Sequence, residues 1–74
     1  MTPERIGTVV RLARLSQRLR QDQLAAAAGV GVRFLIELER GKPTVQLGKL
    51  LAVMNALGCH VEITPPLNPP RGGS

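Results

Sequence analysis

A chain of 74 residues with 43% hydrophobic residues can support one small domain with its own core, and no more. Ten Lys and Arg against five Asp and Glu give a net charge of +5 and a sequence pI of ≈ 11.2, which suits an anionic partner such as nucleic acid and equally a charge that merely keeps the protein soluble. The single cysteine excludes a disulfide framework, so a reducing compartment, the cytoplasm, is the expected location.

Thr2, Pro3 and Glu4 form a helix start, and a first helix is predicted over residues 3–18. Ile6, Val10 and Ala13 recur on one face. Val9, Leu12 and Leu15 are more apolar than an exposed face needs, which leaves room for a second buried side. Arg11, Arg14 and Arg18 interrupt the run too often for a signal peptide or a membrane span. The Ala-rich stretch 21–29 predicts a short helix stopped by Gly29. A third helix follows over 32–39, with Leu35 and Leu38 inward and Gly41 as its stop. Pro43 and Thr44 reset the chain. Leu47, Leu50, Leu51, Met54 and Leu57 then stripe a fourth helix that ends at Gly58.

After Gly58 the period changes to two. Cys59, Val61 and Ile63 alternate with His60, Glu62 and Thr64, which reads as a strand over 59–64. A lone strand needs a ladder partner, and the chain offers no other strand, so the expected partner is the same strand of a second copy. On this reading Cys59, Val61 and Ile63 form a dimerisation seam. Residues 65–74 are Pro- and Gly-rich and are expected to be disordered beyond a domain spanning 1–64.

Catalytic and metal chemistry find little support. Cys59 and His60 point to opposite faces of a strand, and Glu62 beside His60 lacks a third ligand. One histidine and few hydroxyls supply no nucleophile–base–orienter set. The Gly29-Val30-Gly31 run has Phe34 where a dinucleotide loop needs its third glycine, and no strand precedes it. Pro66 to Arg71 fits a PxxPxR docking pattern, a match common in Pro-rich tails. No enzyme activity, metal or cofactor is expected.

The second and third helices are more informative. Two short helices joined by a tight turn have the shape of a helix-turn-helix, whose second helix enters the major groove. With Leu35 and Leu38 buried, Val32, Arg33, Ile36 and Glu37 turn outward. Arg33 can make a bidentate contact to a guanine edge, and Val32 can meet a thymine methyl. Glu37, four residues on, could steer the Arg33 guanidinium or accept from a cytosine amine; as a solvated i,i+4 pair it would add only a few tenths of a kcal/mol. Ile36 favours a contact surface, because a solvated face rarely carries an isoleucine among its charges.

The run LRQDQLAAAAGVGVRFLIELERGKP resembles the Cro/C1-type helix-turn-helix family, through Leu19, Gln21, Leu24, Ala25, Ala28, Gly29, Val30, Leu35, Leu38, Glu39, Gly41 and Lys42. Within that family, GVGVRFLIELERGKPTVQLGKLLAVMNALG followed by a terminal strand is similar to the HipB antitoxin branch. The resemblance implies an all-α, lambda-repressor-like helix-turn-helix domain whose C-terminal strand pairs across a dimer. It also implies a homodimeric repressor of a palindromic double-stranded DNA operator, acting as the antitoxin that neutralises a HipA-like protein-kinase toxin. The alternatives are a free-standing regulator with no toxin and an interaction module that binds no DNA.

Residue by residue, the resemblance gives Gln21 a phosphate contact and a supporting role under the reading helix. It places Val32, Arg33, Ile36 and Glu37 on base-facing positions and Phe34 beside the sugar-phosphate backbone. Arg40 and Lys42 fall in a phosphate-gripping loop, and Arg14 and Glu39 match a salt bridge between the first and third helices. Two positions depart from the pattern. Arg20 stands where a Ser or Thr caps the second helix, losing roughly 1 kcal/mol but adding charge toward phosphate. Gly31 stands where a Ser caps the third, at a cost of a few tenths.

Overall fold

The computed structural model describes residues 2–59. The described residues form four helices: α1 (Pro3–Ser16), α2 (Gln21–Ala28), α3 (Val32–Glu39) and α4 (Leu47–Ala56). Thr2 caps α1 as its sequence suggests: the Thr2 hydroxyl accepts from the Arg5 N–H at 3.1 Å, Pro3 occupies the first turn, and Glu4 faces the positive end of the helix dipole. α2 begins without a side-chain acceptor on Arg20. Half of a capping box takes its place, with the Arg20 N–H donating to Gln23 Oε1 at 2.8 Å.

The four helices end alike. The cap residue of α2, and the residue after the cap in α1, α3 and α4, adopts a positive φ, and the next N–H folds back to a carbonyl in the last turn, a Schellman closure. Three of these residues are Gly29, Gly41 and Gly58; the fourth is Arg18, with φ 58°. That residue ends α1 at Ser16, two residues short of the boundary expected at 18, because the Leu19 N–H turns back to the Arg14 carbonyl at 3.1 Å.

The same closure takes in Cys59, whose N–H donates to the Met54 carbonyl at 2.9 Å and whose half-buried side chain packs against the core. The remaining residues of the expected seam, Val61 and Ile63 among them, and the tail 65–74 lie outside the described residues.

Val10, Leu24, Ala25, Leu35, Leu38, Val53 and Leu57 make the core, with Ile6, Ala13, Leu19, Leu50 and Met54 packed around it. The inward face of α4 is therefore Leu50, Val53, Met54 and Leu57. Leu47 and Leu51, expected in the buried stripe, are 66% and 42% exposed. Leu47 lies at the first turn, where the helix has left the core, and Leu51 sits on the far side from Val53. Val9, Leu12 and Leu15 are exposed as well, so none of the described helices buries the second apolar side of α1.

α1 crosses α3 at very short range. A Cβ on Gly7 would lie 2.6 Å from the Leu38 carbonyl oxygen and 2.7 Å from that of Glu39. One turn nearer the start of α1, the backbone of Glu4 meets Gly41, where a Cβ would lie 3.1 Å from Glu4 Cα and where φ is 88°. Two glycines thus fix the crossing and with it the direction in which α3 presents its outer face.

Candidate nucleic-acid interface

α3 has one locked face and one open face. On the locked side, the Arg14 guanidinium donates to both oxygens of Glu39, Nε to Oε2 at 2.7 Å and Nη2 to Oε1 at 3.0 Å, and Nη1 donates to the Leu19 carbonyl at 2.8 Å. Gln21 Nε2 adds a bond to Glu39 Oε1 at 3.2 Å. This network joins α1, α2 and α3 through one carboxylate. Its side chains are nearly inaccessible, 10% exposed for Arg14 and 4% for Glu39, so the charges are paired, hydrogen-bonded to the protein and shielded from screening. The hydrogen bond to Glu39 raises the Arg14 pKa above its ordinary value and the carboxylate's charge adds to this, with burial opposing both. A raised cationic pKa stabilises the fold at every pH below the ordinary arginine value, so the pair's cation persists across the whole working range.

On the open side, Val32, Arg33, Ile36, Glu37 and Arg40 line one shallow recess of about 350 Å³. The structure therefore brings together five of the residues expected to face outward from α3 and its C-terminal loop, with Phe34 and Lys42 in the groove beside them. Arg33 and Arg40 are exposed, and Ile36 is half-buried among them. A neighbouring groove of about 400 Å³ runs between α3 and the start of α4, lined in part by Arg33, Phe34, Glu37, Lys42 and Lys49. Phe34 lies on this side, with Lys49 Nζ 5.6 Å from its ring centroid, within range of a cation–π contact. Arg20 stands apart at the exposed start of α2, where its Nε donates to Asp22 Oδ1 at 3.1 Å. That bond holds the Asp22 carboxyl below the usual carboxylate range.

One feature of the surface differs from the sequence expectation. Glu37 pairs with Lys42 and not with Arg33: Lys42 Nζ donates to Glu37 Oε1 at 3.1 Å. The Schellman closure of α3 causes this, because the Lys42 N–H already donates to the Glu37 carbonyl and folds the loop back over the last turn. Gln21 is drawn inward to Glu39 and shares a pocket with Arg11, Ile36, Glu39 and Arg40. Arg11 and Lys49 are basic residues of the surface that sequence reasoning did not single out. Arg11 reaches it only through the crossing of α1 and α3, and Lys49 only through the turn back into α4. Neither carries a local signal.

Residues 10–63 match the helix-turn-helix family model. The chain belongs to the Cro/C1-type helix-turn-helix family. It is also 55% identical over 65 residues to the uncharacterized HTH-type transcriptional regulator y4mF of Sinorhizobium fredii (strain NBRC 101917 / NGR234), a match covering 88% of this chain and 86% of that protein. Within this helix-turn-helix, α2 and α3 are the motif pair and the turn between them is Gly29 to Gly31. The reading helix of such a motif lies in the major groove while the helix before it crosses the backbone. In this chain α3 is the second helix of that pair. None of the described helices is long and apolar enough to cross a membrane.

Proposed function

We propose that this protein is a sequence-specific transcriptional repressor that binds a palindromic double-stranded DNA operator as a homodimer in the cytoplasm. The observation that carries this is the division of α3: its inner face is immobilised by the Arg14–Glu39–Gln21 network, while its outer face presents Arg33, Arg40 and Lys42 around Val32 and Ile36. Arg33, Val32, Ile36 and Glu37 then face base edges. Arg20, Gln21, Phe34, Arg40 and Lys42 serve the backbone, which carries most of the salt-dependent affinity. A homodimer reads two half-sites about one helical turn apart, roughly 34 Å. A symmetric footprint on the DNA upstream of its own gene supports this reading, and indifference to sequence at every salt concentration defeats it.

The finer reading is a HipB-like antitoxin that represses its own operon and neutralises a HipA-like kinase toxin. Val9, Leu12 and Leu15 favour it: they leave an apolar strip on α1, a helix other than the reading helix α3, where a partner could dock without displacing DNA. Pull-down of the neighbouring gene product against Leu12→Asp and Leu15→Asp variants that still bind DNA tests it. No capture by the wild type leaves a free-standing regulator, the role that the name of the Sinorhizobium relative suggests.

A further inference from the structure

Glu37 and Lys42 are joined twice, once through the backbone at 3.1 Å and once through their side chains at 3.1 Å. Both side chains remain accessible, 37% and 44% exposed, and both line the groove between α3 and α4. In that lining Glu37 is the single carboxylate, set against Arg33, Lys42 and Lys49. A DNA phosphate entering the groove and the Glu37 carboxylate are both oxyanions that seek the same ammonium. Their mutual repulsion keeps both from crowding one Lys42 at full strength.

We infer that Glu37 is an internal competitor for the DNA backbone phosphate on Lys42. In the free protein the carboxylate neutralises the ammonium. On DNA the pair opens, Lys42 turns to phosphate, and Glu37 is left beside a polyanion unless a base presents a donor. Every sequence bears the loss of the pair, and only a site that offers an amine, such as that of cytosine, compensates Glu37. The competition lowers affinity everywhere and widens the gap between right and wrong sites, a repulsive route to specificity. It also reduces net counterion release, because the freed carboxylate takes up a cation as the phosphate loses one. This inference rests on the DNA-binding reading of α3.

The test uses the full chain, the DNA upstream of its own gene and an unrelated duplex of equal length, titrated over a range of salt. Glu37→Gln is expected to bind the unrelated duplex about three- to fivefold more tightly at low salt. Its plot of log affinity against log salt is steeper, by less than the roughly 0.9 of a whole phosphate contact. The preference for the cognate fragment falls. In a Lys42→Ala background the same substitution has a clearly smaller effect on affinity for the unrelated duplex, because only the direct repulsion between Glu37 and the polyanion is left to relieve. An equal effect with and without Lys42 reduces Glu37 to a general field and overturns the inference, as does a Glu37→Gln protein with wild-type affinity and slope. A wild type that binds both duplexes equally at every salt concentration defeats the sequence-specific reading, and one that binds neither defeats the DNA-binding reading itself; both results are distinct from either of these.

Discussion

The seam between α1 and α3 and the outer face of α3 use the same residue types for opposite ends. At the seam, Arg14 and Glu39 are withdrawn from water and every donor Arg14 turns inward has an acceptor on the protein. On the outer face, Lys42 and Glu37 meet at a similar distance but in solvent, where an ion pair is weak and can open. Burial decides which pair is structure and which is available for exchange. The two pairs leave from one short helix, so a rigid inner face and a labile outer face are separated by a single turn of backbone.

The largest effect that can break this contrast is removal of one partner at the seam. Glu39→Ala leaves the Arg14 guanidinium buried without its carboxylate and is expected to cost about 3–5 kcal/mol by urea unfolding. Replacing both residues by apolar side chains of similar volume should cost far less, since the desolvation penalty disappears with the charges. A double-mutant cycle with coupling near zero would show that this pair behaves like the exposed one. Gly7→Ala comes next. Helix propensity alone favours alanine by about 1 kcal/mol, yet its Cβ would press on two backbone oxygens that cannot swing aside. The expected outcome is a net loss of about 1–3 kcal/mol. A stabilised Gly7→Ala would mean that the helices can move apart.

Much of this architecture is legible in the chain. Thr2-Pro3-Glu4 marks the start of α1, and Gly29, Gly41 and Gly58 mark the ends of three helices because a positive φ selects glycine so strongly. The end of α1 escapes because Arg18 occupies the same backbone state without the residue that signals it. In α4, apolar residues fall on more than one side, so period alone does not choose Val53 over Leu47 as the core residue; proximity to α2 does. Gly7 reads as an ordinary weak point in a helix, since the carbonyls that require it lie in α3, far along the chain. The open face of α3 follows from the burial of Leu35 and Leu38, whereas Arg11, Lys49 and the Glu37–Lys42 exchange depend on contacts that form only when the helices pack.

On the outer face the sharper test is binding. Arg33→Ala should lose about 1–3 kcal/mol of affinity for the cognate operator and relax choice at one base pair in each half-site. Its unfolding midpoint should be close to wild type, because the side chain is exposed and outside the seam network. Arg40→Ala, by contrast, should weaken all sequences alike and flatten the salt dependence by about 0.9. Intact sequence preference after Arg33→Ala would shift the reading register along α3.

The smallest expected effect concerns Arg18, which belongs to neither face. Its φ of 58° places a β-carbon against the following carbonyl, a strain of roughly 1–2 kcal/mol for an L-residue that glycine avoids. Glycine gives part of that back through the greater freedom of its unfolded chain. Arg18→Gly should therefore stabilise the protein by about 0.5–1 kcal/mol, raising the melting temperature by some 2–8 °C for a domain of this size. The Schellman bonds from Arg18 and Leu19 to the Leu15 and Arg14 carbonyls remain available to the variant. Because the Leu19 carbonyl also accepts from Arg14, a better-formed turn at 18 should reinforce the seam while leaving sequence preference on DNA unaltered. A melting temperature below wild type would show that the Arg18 side chain contributes more than its backbone strain removes. Loss of sequence preference would instead assign it to the DNA-facing surface, moving the boundary between the two regions to the end of α1.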